Sequence, residues 1–227
     1  MKNGRIRDLL VLIGLLATIA SVSLAGSKTW DFESGSADWK IANGKWTVNG
    51  GIYQETSGKD KAMHAIVGDA TWKNYTVETK IRIDDGRWAG LIFRAQNDRE
   101  YYVFYLNVPN NETEFWRHKK GGGFDARDRL PQQHIKAKDV KIEVGKWYDM
   151  KAEIDGDNFT LFLNGKKQGT VQDTDKKYGN GMVGVWVWET KASFDNLTVP
   201  GEGIGAATTA VDPRRKLATA WSRLRQN

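Results

Sequence analysis

Between Lys28 and Val199 the chain keeps a period of two and nowhere the period of a helix, and this limits its fold more than any other feature. Residues 74–83 read Asn-Tyr-Thr-Val-Glu-Thr-Lys-Ile-Arg-Ile. Tyr75, Val77, Thr79, Ile81 and Ile83 point one way, and Thr76, Glu78, Lys80 and Arg82 the other. The segment Lys146–Asp155 repeats the pattern with Tyr148, Met150, Ala152 and Ile154 inward. Asn158–Leu163 follows, and Asn164-Gly165 is a hairpin turn before Lys166–Thr170. Further strands are expected over 88–94, 101–107, 112–118, 182–188 and 192–199. About a dozen short antiparallel strands in about 170 residues imply an all-β protein, a two-sheet antiparallel β-sandwich of jelly-roll type.

The aromatic content supports this, with 10 Trp, 7 Tyr and 8 Phe beside 24 Gly and only 4 Pro. The absence of Cys excludes a disulfide framework, a thiol nucleophile and a thiolate metal site. The net charge of +6 is not spread evenly: residues 1–25 carry +2 and residues 200–227 carry +3, leaving +1 for the middle. So small a charge gives no phosphate-binding footprint, and nucleic acid is not an expected partner. No glycine loop followed by Gly-Lys-Ser/Thr occurs, so neither is a nucleotide.

Residues 1–25 read as a signal peptide. Lys2, Arg5 and Arg7 precede an apolar run from Leu9 to Ala20, and Ser23 and Ala25 stand at −3 and −1 of a cut before Gly26. The alternative is an uncleaved membrane anchor, and both place the domain outside the cytoplasm. Residues 200–205 read as a linker. Asp212-Pro213 then starts a basic helix carrying Leu217, Trp221 and Leu224 on one side. That helix lies on its own domain or frays in solvent, or it docks on an acidic partner or membrane surface. The expected organisation is therefore signal peptide 1–25, sandwich 26–199, and linker plus helix 200–227.

Several segments carry a specific resemblance: Trp30-Asp-Phe-Glu33, Gly44-Lys-Trp46, Gly51-Ile-Tyr53, Ala89-Gly90-Leu-Ile-Phe-Arg94, Gly145-Lys-Trp147-Tyr148, Gly181-Met-Val-Gly184 and Ser193-Phe194-Asp195-Asn196. Over about residues 28–199 the chain resembles the concanavalin A-like lectin/glucanase superfamily. Within it the chain is similar to the laminin-G-like branch, to 3-keto-disaccharide hydrolase domains and to family 66 carbohydrate-binding modules. The resemblance implies a concanavalin A-like jelly roll that handles carbohydrate, by binding or by hydrolysis.

Sugars present apolar C–H faces and many hydroxyls, so a site for them combines flat rings with charged or amide groups. Arg94, Tyr102, Glu114, Trp116, Trp188 and Glu189 supply such a set near strand ends. Tyr102, Trp116 and Trp186 read equally as core, and Arg94 as a structural partner of Glu114. Alternation puts Glu114 and Trp116 on one face and Arg117 on the other, and opposes Trp188 to Glu189 unless the strand bends. Arg94, Tyr102 and Glu114 are therefore preferred to Arg117. Lys119–Asp125 reads as a rim whose Phe124 can close over a ligand, or as a solvated hairpin tip.

A calcium site is expected from Asp31, Glu33 and Asp195, hard oxygen donors on the first and last strands, as in several members of the superfamily. For catalysis, the Glu-x-Asp-x-x-Glu run of the superfamily's glucanases is absent, and His64, His118 and His134 show no metal-ligand or triad spacing. The expectation is an exported domain that binds carbohydrate without chemistry. A hydrolase of a 3-keto-disaccharide is the alternative, and a protein-contacting surface domain the second.

Overall fold

The computed structural model describes residues 25–205 apart from 60, 122–125, 129, 131–133 and 138. Residues 1–24 of the expected signal peptide, the expected basic helix and Phe124 lie outside the described residues. In chain order the strands are β1 (Ala25–Trp30), β2 (Lys40–Asn43), β3 (Trp46–Asn49), β4 (Ile52–Glu55), β5 (Met63–Val67), β6 (Tyr75–Ala95) and β7 (Tyr101–Asn107). Then follow β8 (Glu112–His118), β9 (Arg127–Asp128), β10 (His134–Lys136), β11 (Trp147–Asp155), β12 (Asn158–Leu163), β13 (Lys166–Gln172) and β14 (Met182–Glu202).

The architecture turns on β6 and β14, each 21 residues long and paired antiparallel from Met182↔Ala95 to Gly201↔Tyr75. Both change neighbours midway. The first half of β6 pairs β11, which continues to β12 and β13, while the second half of β14 takes β1 and β4. The second half of β6 pairs β7, followed by β8 and then β9 and β10, while the first half of β14 takes β5 and then β2. Two sheets therefore share one strand pair. They face each other: Phe159 of β12 meets Phe93, Tyr102 and Phe115 of the other sheet with ring centroids 5.2, 4.8 and 5.6 Å apart. Each such buried ring contributes about 1.5–3 kcal/mol of apolar transfer.

The expected alternation holds along the first half of β6, whose Tyr75, Val77, Ile81 and Ile83 are buried while Glu78 and Lys80 are exposed. The Asn164-Gly165 turn has φ of 48° and 73°, the left-handed pair that a two-residue hairpin requires, and it closes Leu163 against Lys166. The expected linker is corrected in part. Pro200–Glu202 extend β14 against Ser27–Ala25, and Ile204 is fully buried. Glycine and proline suggested a linker there, but a strand partner overrides local propensity.

The outer face of the second sheet departs from what an antiparallel sheet shows to water. Ile66, Ile92, Val103, Tyr105, Trp116 and Trp186 form an apolar cluster there, separate from the inter-sheet core. Trp88 and Trp188 pack half-buried against it.

Candidate functional site

On that outer face a cleft of about 450 Å³ opens between β6, β7, β8 and β14. Period-two alternation supplies its lining. Tyr105 and Asn107 come from β7, Glu114 and Trp116 from β8, Trp186 and Trp188 from β14, and Trp88 from β6. Gly90 lets the floor form, since a Cβ there would stand 2.3 Å from that of Tyr105. Tyr105 stacks on Trp186 with centroids 4.9 Å apart.

The Glu114 carboxylate is the polar centre. Its Oε2 accepts from the Tyr105 hydroxyl at 2.6 Å and from the Trp116 indole N–H at 2.8 Å, and its Oε1 accepts from the Asn107 amide. A carboxylate has about four acceptor positions, so one remains for a ligand hydroxyl. Burial, reinforced by the neighbouring Glu114 charge, holds Tyr105 far above the usual phenol range, so it stays a donor. Two arginines and an imidazole surround this centre. Arg127 lies 4.2 Å from the Trp116 ring centroid and 5.7 Å from that of Trp188. Arg87 lies 5.4 Å over Trp88, with its Nη1 3.5 Å from Glu189. His134 meets Trp116 edge-on at 5.9 Å.

Trp188 and Glu189 both line the cleft although they are consecutive. Glu189 adopts φ 45°, the bend that alternation alone did not supply. Thr190 pins the corner, accepting the backbone N–H groups of Arg87 and Trp88 at 2.8 Å each and donating to the Trp188 carbonyl at 2.5 Å.

Four of the six residues singled out in the sequence thus meet in one cleft: Glu114, Trp116, Trp188 and Glu189. Arg94 and Tyr102 do not, and their expected role is corrected. Register slips between Met182↔Ala95 and Gly184↔Ile92, so one residue of β14 faces two of β6, and Arg94 takes φ 49°. The bulge turns its guanidinium into the end of the sandwich, where it donates to the Tyr178 carbonyl at 3.0 Å and that of Lys73 at 3.1 Å, not to Glu114. Tyr102 belongs to the inner face with Phe104. Its hydroxyl donates to Asp173 and accepts the Tyr178 N–H at 3.2 Å. Arg117 joins that internal cluster through Asp173 at 2.9 Å, Asp175 at 2.8 Å and Asp128 at 3.1 Å, as its parity required.

The sequence does not single out Trp88, Tyr105, Asn107, Arg87, Arg127 or His134, and it leaves Trp186 equally readable as core. Tyr105 and Asn107 were legible, standing opposite Glu114 and Glu112 on the next strand with an outward polar residue ending an apolar run. Arg127 and His134 sit on strands of two and three residues that carry no pattern.

Asp31, Glu33 and Asp195 are not brought together as a ligand set. Asp31 accepts the Glu33 backbone N–H at 3.1 Å, and Asp195 accepts from Asn196 at 2.8 Å. Among the described residues, the acidic or histidine group of three whose ligand atoms fall within 4.8 Å of one another is Glu112, Glu114 and His134.

Known proteins agree with this architecture. The chain is 26% identical over 176 residues to a levanase of Bacillus subtilis, and 26% identical over 145 residues to an extracellular exo-alpha-L-arabinofuranosidase of Streptomyces chartreusis. These matches cover 75% and 63% of this chain but only 24% and 17% of those much longer proteins. Among solved structures, the carbohydrate-binding module CBM66 from Bacillus subtilis superimposes with a TM-score of 0.63 at 24% identity, covering 72% of this chain and 96% of that one. A beta-glucanase of Bacillus licheniformis superimposes at 0.55 with 9% identity, covering 78% and 99%. These likenesses establish the jelly roll of the glucanases and galectin-like folds. The pattern that defines the 3-keto-alpha-glucoside-1,2-lyase-like domain matches residues 27–200, nearly the whole sandwich, and the chain belongs to that family.

Proposed function

We propose that the cleft binds a carbohydrate and leaves it intact, and that the domain works outside the cytoplasm. The observation that carries this reading is the ring of Trp88, Tyr105, Trp116, Trp186 and Trp188 around one hydrogen-bonded carboxylate, Glu114. Indole faces take the C–H faces of a sugar, the free acceptor position of Glu114 takes a hydroxyl, and Arg87 and Arg127 donate to others. The cleft volume of about 450 Å³ lies at the small end of the ligand-pocket range, suited to one or two sugar rings. The names of the levanase and of the carbohydrate-binding module support a sugar as ligand. The arabinofuranosidase named as extracellular, with the basic and apolar start of this chain, supports the location.

A second reading is favoured by one observation: Glu114 and Glu189, from different strands, line the same cleft. In a family named for a 3-keto-glucoside lyase, two carboxylates are candidates for the base and acid needed to break a glycosidic bond next to an activated carbon. A glycan array probed with the full chain, followed by calorimetry and product analysis of each hit, separates the readings. Saturable binding with intact glycan is expected, weakened at least tenfold, about 1.4 kcal/mol, by Trp116→Ala and by Glu114→Gln at unchanged circular dichroism. Cleaved product would move the assignment to the second reading. Variants that bind like the parent would remove the cleft from the function.

A further inference from the structure

We propose that Glu55, which lies outside the cleft, is a positioning residue for it: through residues 57–59 it holds the backbone of Glu189, and with it the wall that Glu189 and Trp188 form. The effect on sugar binding rests on the reading of the cleft given above, whereas the hold on Glu189 does not.

Glu55 ends β4 and is 1% exposed, so its carboxylate must find its hydrogen bonds within the protein. Oε1 accepts the Lys45 N–H at 3.0 Å and the Ser57 hydroxyl, and Oε2 accepts the Gly58 N–H at 3.0 Å. Both oxygens share the Ser57 N–H, each at 3.0 Å. Every one of these partners is a donor. A carboxylate offers acceptors alone and suits them all, whereas the amide of a glutamine would set an NH₂ group against some of them. The chain just beyond the strand is thus wrapped back onto the strand's last side chain.

The wrapped segment meets the cleft at the corner of β14. The Lys59 carbonyl accepts the Glu189 N–H at 3.2 Å. Gly58 lies close on the Lys191 side chain, where an added Cβ would stand 3.2 Å from Cγ. Glu189 needs such holds, because its φ of 45° is sparsely populated for a residue with a side chain and persists only where neighbours over-determine it. Thr190 fixes the corner from the β6 edge, through the N–H groups of Arg87 and Trp88. Lys59 fixes it from the other edge of β14, beyond the last rung with β5, Val187↔Met63. Freed of that second hold, Glu189 can relax to regular strand geometry, in which alternation turns its side chain and that of Trp188 to opposite faces.

Amide hydrogen exchange followed by NMR on the full chain reads this hold without any ligand. In Glu55→Gln the Ser57, Gly58 and Glu189 amides should exchange at least tenfold faster, while amides paired between β11 and β12 keep their parent rates. A glutamate that served overall stability alone would instead speed the β11–β12 amides as much or more. Ser57→Ala removes one donor and leaves the carboxylate in place; it should speed the Glu189 amide about threefold, and it carries the test if Glu55→Gln does not fold. Calorimetry then uses the array glycan that the parent chain binds most tightly, at a temperature where both proteins are folded. Affinity should fall at least fivefold in Glu55→Gln. Parent exchange rates at Glu189 in both variants, or faster exchange there with parental affinity, would overturn the positioning role. A parent chain that binds no array glycan would count against the sugar reading alone, and the exchange rates would still decide whether Glu55 holds Glu189.

Discussion

Among the described residues Arg94 makes no direct ion pair; its guanidinium donates to two backbone carbonyls, those of Tyr178 and Lys73, at the end of the sandwich. Burial lowers its pKa, yet an arginine so placed stays charged, and its worth lies in satisfying the buried Tyr178 carbonyl and the part-buried one of Lys73. Arg94→Met should therefore cost about 1–3 kcal/mol in urea unfolding, chiefly the cost of the buried Tyr178 carbonyl left unmatched. Sugar affinity should stay unchanged, the reverse of what the sequence led one to expect of this residue. The tryptophans teach a related lesson. Trp186 is 1% exposed and belongs to an apolar cluster, yet it floors the cleft. A ring can be core and binding surface together, so residue type alone does not separate the two roles.

At the scale of the strand, the corner where β6 and β14 change neighbours shapes the cleft. Gly86 has φ 117°, and a Cβ there would stand 2.2 Å from the Glu189 carbonyl and 2.6 Å from Thr190 Cα. Gly86→Ala should destabilise the fold by roughly 1–3 kcal/mol. It should also weaken ligand binding, because Trp88, Trp188 and Glu189 flank the corner it would push apart; melting curves and calorimetry on the same preparation check both. The corner also marks where reading by alternation ends. Tyr75–Ile83, Trp147–Asp155 and the Asn164-Gly165 hairpin were legible because one face is wet and one dry. Arg94 and Glu189 each reset the alternation with a positive φ, and neither is a glycine or asparagine that would announce it. Of the cleft, the run Glu114–Trp116 was visible for the same reason, whereas Arg127 and His134 reach it only through tertiary pairing.

For the molecule as a whole, acid sensitivity has an identifiable origin. His64 on β5 is fully buried, and burial, outweighing nearby Asp98, pushes it down to about 4 from 6.5. Above pH 6.5 neither folded nor unfolded chain carries a proton there. Between pH 6.5 and 4 the unfolded chain takes one up and the folded chain does not, so stability falls with pH, by about 3 kcal/mol over the window. At lower pH, Asp173 adds to the loss. Burial alone would raise its carboxyl, but Tyr102, Lys177 and Arg117 together hold it below the ordinary range, so its stabilisation fades as it protonates. Urea midpoints at pH 7 and 4.5 should differ accordingly, and His64→Leu should flatten the difference whatever it does to stability at pH 7. The register Ala25↔Glu202 has a mechanical consequence. Both ends of the described sandwich emerge side by side from one antiparallel pair, so tension applied through flanking chain would open the β1–β14 ladder rung by rung instead of shearing all its bonds at once. Under load this domain yields first at its seam, while the cleft, built from other strands and the far half of β14, keeps its shape.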